Sequence, residues 1–128
     1  MVEDSIRSFA LDEADIVAEI GARFYIDHVP DNADLPFVKL SLVDDDQLYS
    51  HDGESGHIPL YQMEVYAEAK SECNALSVLL FARFVGHSGV MGDVTVGYIF
   101  PRIVRGEFAP DSRNYRRILE LRIGTNDR

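Results

Sequence analysis

Four side chains able to ligate a metal, His51, Asp52, Glu54 and His57, fall within one short stretch of this sequence. Imidazole and carboxylate donors bind zinc when three or four of them converge on one point. The stretch lacks the Asp-x-Asp-x-Asp-Gly spacing of a calcium loop, and Asp, Ser and Gly at this density are ordinary turn chemistry. No bound metal is expected. Nucleophilic chemistry has no better footing. No Gly-x-Ser-x-Gly elbow occurs, and Ser55-Gly56 and Ser88-Gly89 read as simple turns. Cys73 is the single cysteine, so it has no partner for an internal disulfide or a Cys-based metal site. It lies inside a helical apolar stripe, where a free thiol behaves as a small buried hydrophobe. Neither glycine-rich phosphate cradle is present. The expectation is a protein that is not an enzyme and uses no cofactor.

The remaining cluster with chemical character is basic: Arg113, Arg116, Arg117 and Arg122. Alternation in a strand sends Arg116 and Arg122 to one face and Arg117 to the other, which divides the cluster. Tyr115 is the single aromatic within it, so aromatic residues are not interleaved with it in the manner of a base-stacking platform. The formal net charge of -10 also opposes nucleic acid, whose affinity rests on neutralising phosphates. Pairing of these arginines with acids of a neighbouring subunit is the better reading. The acidic surface remains compatible with DNA that passes without sticking.

These residues need elements to position them. A chain of 128 residues suits one domain with one core, spanning residues 1–128. With 46% hydrophobic and 27% charged residues, composition is that of a globular protein, and no apolar run is long enough to cross a membrane. The acidic start Met1-Val2-Glu3-Asp4 does not resemble a secretory signal, so synthesis in a reducing host cytoplasm is expected.

Helical spacing of Ile6, Phe9, Ala10, Ile16, Val17 and Ile20 predicts a helix over residues 5–20, broken near Leu11 or Asp12 and stopped at Gly21. Residues 22–28 and 36–43 read as two strands of an antiparallel pair, with turn residues between them. Residues 58–67 alternate as a third strand. The stripe Ala69, Cys73, Leu76, Leu80, Phe84 then predicts a helix ending before Gly86. Its second half is apolar on nearly all sides, so what the sheet does not cover is either covered by the N-terminal helix, the favoured reading, or presented to a neighbouring subunit. Residues 90–100 and 115–123 alternate as a closing pair, with Pro101 holding its end of the strand at an edge. Residues 44–57 and 105–113 have neither period and are expected to be long mobile loops. The fold class is α+β: a mainly antiparallel sheet with two helices packed on one face, in the order α-β-β-β-α-β-β.

Several segments in this order resemble a family of phage tail-completion proteins that includes the tail terminators of long-tailed phages. They are Gly21-Ala22-Arg23-Phe24-Tyr25 after the first helix, Pro36-Phe37-Val38, Glu64-Val65-Tyr66-Ala67 running into a long helix, and the Arg-rich Arg116-Arg117-Ile118-Leu119-Glu120-Leu121. The long acidic stretch at 44–57 departs from the family pattern, as does the segment 107–111. The resemblance implies a structural virion protein of the neck: a ring, typically hexameric, that caps the tail tube, stops its growth and docks the filled head. Its partners would be itself, the tail-tube protein and a head-completion or connector protein, with DNA only in transit. Other readings are a head-closure or other connector protein, a minor tail protein and, more remotely, a small ligand-binding domain. Ring closure uses heterologous contacts, so the expected interface sets Arg102, Arg105, Arg113 and Arg116 against Asp44, Asp45, Asp46, Glu54 and Glu107.

Overall fold

The computed structural model describes residues 2–49, 55–92, 94–109 and 114–125. The order is α1 (Val2–Leu11), α2 (Ala14–Ile20), β1 (Phe24–Ile26), β2 (Phe37–Tyr49), β3 (Ser55–Ala67), α3 (Lys70–Phe84), β4 (Gly89–Met91), β5 (Val94–Ala109) and β6 (Asn114–Thr125). The α+β class stands, but with three helices rather than two and six strands rather than five, because the predicted strand over 90–100 is divided between β4 and β5, which pair with each other. The predicted break near Leu11 separates α1 from α2, and Gly21 ends α2 at φ 59, a left-handed conformation that glycine adopts without cost. Glu13 occupies the cap of α2 and makes no side-chain cap bond.

All strands belong to one six-stranded sheet in the order β1-β2-β3-β6-β5-β4. The expected antiparallel pairing of the first two strands is corrected: β1 runs parallel to β2, with Phe24 opposite Val38 and Ile26 opposite Leu40. The reason lies in Arg23. Its carbonyl accepts the Val38 N–H at 3.0 Å, and its Nε donates to the Pro36 carbonyl at 2.9 Å, so the two strands start side by side. Alternation fixes which face a side chain takes, not the direction of the strand. The Gly-x-Arg-aromatic segment noted in the sequence therefore acts as a clamp between strand starts.

The two expected loops are also corrected over their described parts. Residues 44–49 and 55–57 extend β2 and β3 as an antiparallel ribbon, with Asp44 opposite Leu60 and Tyr49 opposite Ser55. Residues 105–109 extend β5 along β6. Low apolar content removes a reason for burial, but a ladder of backbone hydrogen bonds needs none. A register shift between Leu42 and Asp44 marks where the ribbon leaves the body of the sheet. Residues 50–54 and 110–113 of those expected loops lie outside the described residues.

One face of the sheet carries Val38, Leu40, Met63, Val65, Leu119, Leu121 and Ile123, all buried under α3 and the N-terminal helices. Four members of the predicted α3 stripe, Cys73, Leu76, Leu80 and Phe84, point into this core, while Ala69 is the exposed cap that precedes the helix. The N-terminal helices cover α3 in part: Phe9 packs on Phe84 at 5.4 Å, while Val78 and Val85 remain exposed. Helix α1 touches both β1 and β4, the opposite ends of the strand order. The sheet therefore curls until both edge strands meet the same helix.

That closure has a tight point at Gly92. Its φ is +60, and a Cβ built there would lie 2.7 Å from Ser5 Oγ and 3.1 Å from Ser5 Cα on α1. Gly92→Ala is expected to lower stability by about 1–3 kcal/mol through left-handed strain and displacement of α1. Urea denaturation reads this directly. An unchanged midpoint would mean that α1 does not seat against this turn.

Candidate interaction surface

The second face of the sheet has no helix over it among the described residues. Register places its side chains in rows, because residues directly opposite across two strands share a face. One row runs Lys39, Glu64, Ile118, Arg105, and the next runs Ser41, Gln62, Glu120, Arg102. A third joins Leu60, Arg122 and Phe100.

Glu64 lies at the centre. It is 8% exposed although no element covers it, because its neighbours fold over it. Glu64 Oε1 accepts from Gln62 Nε2 at 2.9 Å and from Arg116 Nη1 at 3.3 Å, while Oε2 accepts from the Tyr66 hydroxyl at 2.9 Å. Each bond is charge-assisted, which compensates for the water the carboxylate has lost. Burial pushes the Tyr66 phenol above its ordinary value, Arg116 opposes that by favouring the phenolate, and the Glu64 carboxylate adds to the rise. Tyr66 is thus held as a neutral donor.

Aromatic rings flank this network on both sides. Tyr66 stacks on Phe37 at 4.8 Å, and Phe37 meets Tyr25 edge-on at 5.8 Å. At the far side Tyr98 and Phe100 lie 5.0 Å apart, and Phe100 is 64% exposed beside Arg122. Aromatic rings with arginines on a firm sheet are the composition that dominates the energetics of protein interfaces. The sequence reading missed this surface because its aromatics come from β1, β2, β3 and β5, whereas it examined only the last strand. The alternation of Gln62, Glu64 and Tyr66 against the core residues of β3 was the available signal.

The expected interface residues divide three ways. Arg102, Arg105 and Arg116 share the uncovered face, while Arg117 points to the core side, as alternation predicted. Arg116, expected to pair with another subunit, is bonded to Glu64 of its own chain. Glu54 and Arg113 lie outside the described residues, as do the side chains of Asp44, Asp45, Asp46 and Glu107. Of the four candidate metal ligands, only the backbone of His57 is described. Among the described residues no group of His, Cys, Asp or Glu converges as a metal site, and no helix is long and apolar enough to cross a membrane.

The free edges of the sheet are guarded. Beyond Val96, β5 has no strand on its outer side among the described residues. Pro101 and a register shift between Ile103 and Arg105 interrupt that edge, two devices that discourage indiscriminate strand addition. The expectation that Pro101 sits at an edge therefore agrees with the pairing.

The sequence matches no family model, and no curated protein sequence matches it. A chain from the virion of a native gene transfer agent particle shares the fold, with a TM-score of 0.77 over 96% of this chain and 92% of that one, at 16% identity. At that identity the likeness establishes the fold alone.

Proposed function

We propose that this protein is a structural subunit of a phage-type virion, a tail-terminator or tail-completion protein that forms a ring at the neck. The observation that carries the reading is the match, over nearly the whole of both chains, to a chain of a gene transfer agent virion. The family resemblance of the sequence points the same way. The molecule is also built for contact: an uncovered face of aromatics and arginines, and a ribbon from β2 and β3 that runs past the core. In this role the ring caps the tail tube and receives the head. Its partners are its own copies, the tail-tube protein and a connector, and it acts by shape rather than by chemistry. The acidic surface suits a channel through which DNA moves without being retained. Head closure or another connector position is the neighbouring reading for the same fold.

Gold-labelled antibody against this chain tests its place in the particle. The expected result is label at the junction of head and tail. Label spread along the tail would assign the chain to the tube, and label on the shell would remove it from the neck.

A further inference from the structure

We propose that a cationic cleft at the start of α3 receives the acidic end of the N-terminal helices of a second copy, head to tail. The proposal rests on the ring reading above and names the contact that would build the ring.

The cleft has a volume of about 410 Å³ and is lined by Lys70, Asn74 and Arg117, with Cys73, Tyr115 and Arg116 among its walls, the Arg116 guanidinium being bonded to Glu64. Among the described residues no carboxylate lines it, in a protein of net charge -10. Arg117 Nη1 donates to the Asn74 amide oxygen, while its Nε is buried without a partner. The first turn of α3 opens at the same place, and its cap residue, Ala69, makes no side-chain bond to it. Its exposed N–H groups and the positive end of the helix dipole add to the charge of Lys70 and Arg117. Together these groups would hold a carboxylate.

The other end of α3 is the converse. There Glu13 and Asp15 of the α2 turn rim a hollow floored by Leu79 and Ala82, with Arg83 4.0 Å from Glu13. Asp12 and Glu19 stand exposed on the same elements. The span from Lys70 to Ala82 along the helix is about 18 Å at the rise of an α-helix, so one chain cannot join its own two ends. Two complementary patches on different parts of one surface make a heterologous contact, which repeats from copy to copy until it closes. A carboxylate from this protein is the occupant favoured by charge, because the cleft is basic where the opposite end is acidic.

The test uses assembled particles carrying Ser71→Cys and Ala14→Cys in a Cys73→Ala background, mildly oxidised and run without reductant. Both positions are exposed, the substitutions leave Lys70, Arg117 and Asp15 in place, and removing Cys73, which lines the same cleft, prevents pairing within the helix. Disulfides need Cα atoms within about 7 Å, so the new pair cannot close inside one chain. A ladder of multimers beyond the dimer is expected. A ladder stopping at dimers, or a chain that is incorporated without crosslinks, overturns the head-to-tail contact and leaves the ring reading standing. A folded wild-type chain absent from the particles overturns both. Charge reversal gives a second readout: Lys70→Glu should reduce incorporation about tenfold, and adding Asp15→Lys should restore it. Unchanged incorporation of the single variant also overturns the contact.

Discussion

Replacing Phe84 by alanine is expected to cost about 3–5 kcal/mol of stability, the range for removing a fully buried phenylalanine. Phe84 is 0% exposed at the last turn of α3, where the N-terminal helices dock. Its ring meets Phe9 of α1 at 5.4 Å, and Phe9 in turn lies 3.8 Å beneath the Arg83 guanidinium and 4.3 Å from the His87 ring. Arg83 Nε also donates to the Phe9 carbonyl at 2.9 Å. The cavity would therefore release α1 as well as lose buried area. Denaturant unfolding measures the loss, and amide exchange in α1 should accelerate with it. A midpoint unchanged within error would show that the helix layer is not held through this ring.

The next largest effect is expected at Arg116. Arg116→Glu sets a second carboxylate beside Glu64 and removes one of its donors. The expected loss is about 2 kcal/mol, within the range for hydrogen bonds to charged groups and moderated because the Arg116 side chain keeps 29% of its exposure. Adding Glu64→Gln should recover more than half of it, because the two acids then no longer repel each other. This changes what an oligomer assay on Arg116 reports. Weaker assembly with a stable monomer would place Arg116 between subunits, as the sequence suggested. Weaker assembly with a destabilised monomer places it in the intramolecular network described above.

Much of the architecture was legible because periodicity records burial. The α3 stripe, the split near Leu11 and the facing of Arg116 against Arg117 all follow from which side of an element meets water. What periodicity does not record is the partner. The direction of β1 depends on bonds between Arg23 and the start of β2, which no local pattern displays. The ribbon at 44–49 and 55–57 is held by backbone pairing, so its polar side chains gave no sign of it. The uncovered face assembles residues from five strands, Tyr25, Phe37, Glu64, Phe100 and Arg116 among them, and only the register joins them. Arg102, Arg105 and Arg116 were found because charge on a strand is visible in sequence, whereas the pairing of Arg116 with Glu64 crosses fifty-two positions.

The most direct test of the neck assignment is electron microscopy of particles assembled without this chain. Filled heads beside overlong, unattached tails are the predicted result, because tube growth would lack its stop and the head its docking surface. Empty, leaking heads with tails of normal length would move the protein to head closure, and normal particles would contradict a role in the neck altogether.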